Sequence, residues 1–226
     1  MEIVSEQDLR LGMKARALRS LDRGDEKRSP RLIVIATENT YADKQYFEEI
    51  LETPSNVKIE VLETSKRKGD SAPQHVLARL ESFKKYYEED DSFGVADEFW
   101  LMVDVDEWPQ LVEVTEKAIK YGYQLAVSNP CFEIWLLCHC QTPPVGLSKC
   151  SDVEYLLGQK FNIKYGKRKK LRRFDFPHFR DNIGLAVQRA IASDTGPDDI
   201  LPQNPGTRVY RVVQSILDLK PHISLK

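Results

Sequence analysis

The sequence predicts an α/β fold: a mostly parallel, four-stranded sheet flanked by helices, followed by a helical, basic C-terminal extension. Two observations predict it. Short apolar runs rich in β-branched residues, as expected of strands buried on both faces, alternate between residues 31 and 140 with segments that space apolar residues at helical intervals. Strands separated by helices of this length pair in parallel through crossover connections.

Composition sets the broad class of protein. The chain has 226 residues, of which 41% are hydrophobic, enough to bury a core. Charged residues make up 30% and nearly cancel, giving a net charge of -2, so the total charge does not indicate a nucleic-acid binder or any other class. The start of the chain has no apolar signal region, and no apolar run approaches the ~18 residues of a membrane span. We therefore expect a cytoplasmic protein without a membrane partner.

The first half of the predicted sheet consists of two β-α units. RLIVIA (31–36) is the first strand, and ADKQYFEEILE (42–52) follows as a helix in which Asp43 is an early-turn acid. VKIEVLE (57–63) alternates as the second strand. The next helix, HVLARLESFKKYY (75–87), has a stripe of apolar residues at Val76, Leu77, Leu80, Phe83 and Tyr87.

The second half repeats this alternation. EFWLMV (98–103) is the third strand, and a helix follows between Pro109, near its start, and Gly122, where a helix stop is expected. YQLAVS (123–128) is the fourth strand. NPCFEIWLLCHC (129–140) is predicted as a helix that Ser128 and Asn129 could cap, with Phe132 and Trp135 in the core.

The pattern ends at QTPPVG (141–146), and the chain divides there. We predict a basic N-terminal arm over residues 1–30, an α/β core over 31–140, and a helical extension packed on that core over 141–226. The extension contains a loop, SDTGPDDILPQNPG (193–206), and a last helix from about Thr207 to Leu219.

The four cysteines fall in one short region, at positions 131, 138, 140 and 150. This distribution differs from a secreted disulfide framework and fits reduced thiols. Cys138, His139 and Cys140 are adjacent, which allows a zinc site, but the chain has no CxxC pair. Packed thiols on an apolar helix, with His139 as a core histidine, are the favoured interpretation.

Carboxylates follow two of the predicted strands. In FWLMVDVDEW (99–108), Asp104 and Asp106 project to the same side at the carboxyl end of the third strand, and Glu38 follows the first strand. If these strands are neighbours, the three carboxylates converge and need a cation, for which an all-oxygen site suits Mg²⁺ or Mn²⁺. The alternative is that the two aspartates only end the strand and cap the next helix.

Other protein classes also use a DxD pair. In phosphatases with an aspartyl nucleophile the pair is expected after the first core strand, whereas here it follows the third. A metal-dependent glycosyltransferase would need a nucleotide-binding segment that we do not recognise in the sequence. A Glu after the first strand and a DxD after the third, on an alternating β/α frame, instead resemble the Toprim domain of topoisomerases, primases and OLD-type nucleases.

Three longer segments resemble the RloB-like family. SNPCFEIWLLCH (128–139) is similar to its SNPxFExWLLxH segment, ENTYADKQYF (38–47) matches its EGxxTExxYF in register, and NPGTRVYRVVQSIL (204–217) resembles its NPxTxVxxLV segment. The resemblance covers residues 31–219. The chain departs from the family pattern at two places: Asn39 stands where the family has Gly, and Ala42-Asp43 stands where it has Thr-Glu. Asn tolerates a positive φ better than most residues, so the turn is expected to be kept.

The resemblance implies a Toprim-type nuclease that cuts tRNA or DNA and acts as the effector of a bacterial anti-phage, abortive-infection system with an ABC- or SMC-like ATPase encoded nearby. Glu38, Asp104 and Asp106 would hold Mg²⁺ or Mn²⁺, and Glu38 is also a candidate general base.

Glu133 is a fourth catalytic candidate, as an extra metal ligand or a general base. Its alternative role is that of an acid that stabilises the first turn of the helix. The alternative function is a non-catalytic, Toprim-like binding partner of the ATPase; a topoisomerase or primase would need further domains.

A basic segment, KYGKRKKLRR (164–173), supplies the positive charge that a nuclease needs beside an acidic metal site. Aromatic residues at Tyr165, Phe174 and Phe176 are available for stacking on bases. The alternatives are a solvated surface or a docking site for an acidic partner. The predicted nucleic-acid-binding residues are Lys164, Lys167, Arg168, Lys169, Lys170, Arg172 and Arg173.

Overall fold

The computed structural model describes residues 30–38, 42–64, 71–89, 96–105, 108–161 and 176–217. The predicted N-terminal arm and the basic segment at 164–173 lie outside these residues. The domain boundaries at residues 30 and 140 therefore stay a prediction.

A five-stranded sheet forms the centre of the fold, and the predicted α/β class is confirmed. Its strands are β1 (Arg31–Thr37), β2 (Val57–Leu62), β3 (Glu98–Asp104), β4 (Gln124–Asn129) and β5 (Gly206–Thr207). They lie in the order β2-β1-β3-β4-β5; the first four are parallel, and β5 runs antiparallel to β4. The sequence predicts four strands because β5 has only two residues and leaves no periodic pattern.

Eight helices surround the sheet in the described part of the chain. They are α1 (Ala42–Gln45), which continues as a π-helical stretch over Tyr46–Ile50, α2 (Pro73–Glu89), α3 (Leu111–Lys120), α4 (Glu133–Cys138), α5 (Cys150–Lys160), α6 (Phe176–Asp181), α7 (Ile183–Ser193) and α8 (Val209–Leu217). The last helix begins two residues later than predicted, because Gly206 and Thr207 pair with β4 instead.

Each face of the sheet has its own core. Helices α2 and α3 cover one face, where alternate residues of β1 such as Leu32 and Val34 pack against Leu80 and Val114. The other face packs Ile33 and its neighbours against the π-helical stretch and helices α4 to α8. Every apolar position predicted for α2 is buried. Strands with both faces buried explain why the sequence shows near-continuous apolar runs there.

Helix α4 lies in the larger core, as predicted: Phe132 and Trp135 are both buried. The predicted caps are wrong. The hydroxyl of Ser128 pairs with that of Thr207 at 2.8 Å, and the amide of Asn129 donates to the carbonyl of Pro202 at 3.0 Å. Both side chains are used to attach the C-terminal segment to β4, so the helix begins without a side-chain cap.

A disulfide joins Cys131 to Cys150, which corrects the expectation of four reduced thiols. The two residues are 19 positions apart, but α4 and α5 begin side by side, and this brings their Cα atoms to 5.6 Å. Cys138 and Cys140 remain free thiols.

Within the residues that the structure describes, no helix is both long enough and apolar enough to cross a membrane.

Candidate metal site at the carboxyl edge of the sheet

Two of the predicted carboxylates meet at the carboxyl edge of the sheet. Glu38 directly follows β1, and Asp104 is the last residue of β3, its parallel neighbour. The backbone N–H of Asp104 donates to Oε1 of Glu38 at 2.9 Å. Both residues are partly exposed, so the edge is open to solvent. The structure therefore brings together two residues that lie 66 positions apart.

Strand pairing fixes the position of Asp104 from both sides. Thr37, the last residue of β1, is paired with Met102 of β3. Strand β3 continues for two more residues and ends at Asp104, beside Glu38. On the other side Asp104 is paired with Ser128 of β4, and the next N–H, of Val105, donates to the Ser128 carbonyl at 2.7 Å. Asp106 lies outside the described residues, and its predicted place beside Asp104 stays a prediction.

An arginine that the sequence analysis missed holds the end of β1. Nη2 of Arg79, on α2, donates to the carbonyl of Thr37 at 2.8 Å and contacts the hydroxyl of Thr64 at 2.6 Å. The Thr64 hydroxyl also donates to the Thr37 carbonyl, at 3.3 Å. Arg79 therefore fixes the peptide that precedes Glu38. A signal was present: position 79 flanks the apolar stripe of α2, where a long side chain can reach the sheet edge.

Glu133 is the first residue of α4 and is completely buried. Its Oε2 lies 3.4 Å from Sγ of Cys150, next to the disulfide. Its predicted role as an extra metal ligand or base stays a prediction, and so does the role of each basic residue in the segment at 164–173.

His139 is a satisfied core histidine, as the sequence indicated. Its Nδ1 lies 3.0 Å from the carbonyl of Trp135, which can only accept, so Nδ1 carries the proton. Nε2 then accepts from the hydroxyl of Tyr46 at 3.1 Å. Burial lowers the pKa of His139 to about 3, and the ring is neutral.

The adjacent cysteines do not form a zinc site with His139. Both ring nitrogens of that histidine are already hydrogen-bonded. Burial raises the pKa of Cys138 to about 12 and that of Cys140 to about 11, which disfavours the thiolates that zinc requires. The interpretation of these two cysteines as packed thiols is supported.

The C-terminal segment closes the side of the sheet next to the site. Asn204 donates to the side-chain carbonyl of Asn129 at 2.8 Å, directly before β5. Arg208, after β5, is buried and paired with buried Asp194 at 3.1 Å. Arg208 also donates to the carbonyls of Gly196 and Ile200, so one side chain organises the loop that leads into β5. No sequence pattern points to this arginine beyond its place in the segment that resembles the family.

Comparisons with known proteins identify the family. The family model described as RloB-like protein matches residues 33–216, which is most of the chain. No curated protein and no solved structure matches it. The matched region includes Glu38, Asp104, Glu133 and the whole described sheet apart from the first two residues of β1. The chain belongs to the RloB-like protein family.

Proposed function

We propose that this protein is a Mg²⁺- or Mn²⁺-dependent nuclease with a Toprim-like metal site formed by Glu38, Asp104 and Asp106. The observation that carries the proposal is the contact between Glu38 and the backbone of Asp104 at 2.9 Å. Parallel α/β sheets bind ligands at this edge, and two acidic residues on neighbouring strand ends, both partly exposed, would favour a divalent cation there.

The donor set fits a hard cation. Both described side chains offer only carboxylate oxygens, which Mg²⁺ and Mn²⁺ prefer, and partial exposure leaves room for the waters that Mg²⁺ retains. When bound, such an ion polarises a phosphodiester and lowers the pKa of a coordinated water. Arg79 would keep the end of β1, and with it Glu38, in place.

The proposed substrate is tRNA or DNA, held by the basic segment at 164–173. The proposed setting is an anti-phage, abortive-infection system in which an ATPase partner encoded nearby controls the nuclease. Family membership supports this setting but does not choose between the two substrates.

The test is incubation of the purified protein with Mn²⁺ or Mg²⁺ and a mixture of total tRNA and plasmid DNA. We expect cleavage of one substrate class, lost in Glu38→Gln, Asp104→Asn and Asp106→Asn. Glu113→Gln, at an exposed acid on α3, is the matched control and should cleave like the wild type. Cleavage that persists in Glu38→Gln and Asp104→Asn would disprove the proposed site.

Absence of cleavage by the wild type calls for two further measurements. Mn²⁺ binding, followed by the loss of the free-ion electron paramagnetic resonance signal, tests the metal site without substrate. Adding the ATPase partner tests whether the nuclease is latent. A protein that binds no Mn²⁺ and stays inactive with its partner would instead be a non-catalytic binding protein.

A further inference from the structure

A second cluster of metal-ligating side chains lies where helices α4 and α5 begin. It consists of Cys131, Glu133 and Cys150, whose ligand atoms all lie within 4.8 Å of one another. Among the described residues, no other group of three His, Cys, Asp or Glu side chains is close enough together to hold one ion. Glu133 is fully buried, Cys131 is buried, and Cys150 is partly exposed.

The chemistry of the cluster depends on the oxidation state of its sulfur atoms. In the disulfide, neither sulfur carries a proton or a full charge, so neither can bind a cation strongly. Reduction by a dithiol, which is itself oxidised to a disulfide, delivers two electrons and two protons and leaves two thiols beside the carboxylate of Glu133. A divalent cation can then displace both thiol protons to water and neutralise charge that would be costly to bury.

We propose that the reduced protein binds a thiophilic divalent cation of the zinc class through Cys131, Glu133 and Cys150. Zinc takes four ligands drawn from sulfur, nitrogen and oxygen, in a tetrahedron. The fourth position would be taken by water or, after a side-chain rotation, by Glu154, whose Oε1 lies 3.7 Å from the Cys150 sulfur one helical turn away. Two sulfur ligands select zinc over the hard cations proposed for the Glu38 site.

The backbone geometry suits both states of the cysteine pair. The Cα atoms are 5.6 Å apart, within the range of a disulfide. Zinc–sulfur bonds of about 2.3 Å in a tetrahedron need sulfur atoms about 3.8 Å apart, which rotation about the Cα–Cβ bonds can provide from the same backbone. The partly exposed Cys150 gives an ion access from solvent.

The cluster lies next to the end of β4. Cys131 follows Asn129, the last residue of β4, by two positions, and β4 is the direct neighbour of β3, which carries Asp104. A metal that joins Cys131 to the start of α5 would hold this connection under reducing conditions, where the disulfide is lost. Metal binding at this cluster does not require nuclease activity.

The test is a titration of the full-length, chelator-treated and reduced protein with Co²⁺, a spectroscopic substitute for zinc. We expect a sulfur-to-cobalt charge-transfer band that saturates at one Co²⁺ per chain and is displaced by Zn²⁺, whereas Co²⁺ at a carboxylate site gives no such band. Cys131→Ser and Cys150→Ser should abolish the band, and Glu133→Gln should weaken Co²⁺ affinity at least tenfold. Cys140→Ser and Glu38→Gln are the controls and should keep the band.

An experiment without substitutions guards against misfolded variants. The wild-type protein is oxidised with glutathione disulfide, titrated with Co²⁺, and then reduced and titrated again. We expect the charge-transfer band only after reduction. A reduced wild-type protein without the band, or a band that Cys131→Ser and oxidation leave unchanged, would overturn the proposed site.

Discussion

At the scale of single residues, the candidate site depends on how the main chain around Glu38 is held. The carboxylate of Glu38 contacts the backbone of Asp104, and Arg79 contacts the carbonyl of Thr37. The contact with Arg79 positions the peptide bond that precedes Glu38. The contact with the Asp104 N–H positions Oε1 of the Glu38 carboxylate. Arg79 is therefore a positioning residue for the proposed metal site, and a substitution there should weaken the site without removing a ligand.

Replacing Arg79 with Met should weaken Mn²⁺ binding about tenfold, or ~1.4 kcal/mol, because hydrogen bonds from a charged donor to the end of β1 are lost. The measurement is the Mn²⁺ dissociation constant from paramagnetic resonance. Lys85→Met, at an exposed lysine of the same helix, is the control. Unchanged Mn²⁺ affinity with a lower free energy of unfolding would show that Arg79 only supports the fold.

His139 makes stability depend on pH. Its pKa is lowered to about 3 in the folded protein, from 6.5 in the unfolded chain, because burial disfavours the charged ring. Below pH 6.5 the unfolded state therefore binds more protons, and stability falls as pH falls toward 3. Between pH 7.5 and 5.0 this residue should cost about 2 kcal/mol of unfolding free energy, at about 1.36 kcal/mol per pH unit below 6.5.

Urea unfolding at pH 7.5 and 5.0 measures this contribution. The wild type should lose ~2 kcal/mol more stability over this interval than His139→Gln, which does not titrate. His75→Gln, at an exposed histidine on α2, is the control. An equal loss in the wild type and in His139→Gln would contradict the assignment.

At the scale of elements, the strands most accessible to sequence reasoning are those with both faces buried. The apolar runs of β1 and β3 predicted the strands and so placed Glu38 and Asp104 at their ends. Strand β5 and the disulfide were missed, since both depend on contacts between distant segments rather than on local periodicity. Arg208 was missed for the same reason. The place of Arg79 beside the apolar stripe of α2 is visible in the sequence, but its partner at the end of β1 is not.

The loop before β5 is held by a buried ion pair. Arg208 and Asp194 are both buried, and Tyr210 also donates to Asp194 at 2.9 Å. Asp194→Asn should lower the free energy of unfolding by about 3 kcal/mol, because it leaves the buried guanidinium without its counter-charge. Denaturant unfolding measures this loss, with Asp198→Asn, at an exposed acid of the same loop, as the control. Equal stability of the two variants would mean that hydrogen bonds alone hold the loop.

At the scale of the whole molecule, the described residues after position 141 belong to the same hydrophobic core as described residues before it. Helices α7 and α8 share a hydrophobic cluster with α4 and the sheet, and β5 extends the sheet itself. The carboxyl edge with Glu38 and Asp104 therefore lies on a sheet to which described residues from both parts of the chain contribute. The proposed cation site lies at this edge, and the proposed polyanion-binding segment, 164–173, lies outside the described residues.

The proposed role of the segment at 164–173 in nucleic-acid binding can be tested through the salt dependence of binding. With a net charge of -2, the chain as a whole does not attract nucleic acid, so the proposed binding would have to come from a local basic segment. Each phosphate contact of a single strand contributes about 0.7 to the slope of log affinity against log salt concentration. Replacing Lys167, Lys169 and Lys170 together with Gln should lower the magnitude of that slope by about 2 and weaken binding at low salt.

The measurement is fluorescence anisotropy of labelled single-stranded RNA and DNA over a series of salt concentrations, with Ca²⁺ in place of Mg²⁺ to limit cleavage. The control replaces three exposed lysines elsewhere, Lys85, Lys120 and Lys149, with Gln. Both variants lose the same total charge, so a general electrostatic effect would change both slopes equally. A smaller slope only in the first variant would assign the phosphate contacts to the basic segment, whereas equal slopes in the two variants would contradict that assignment.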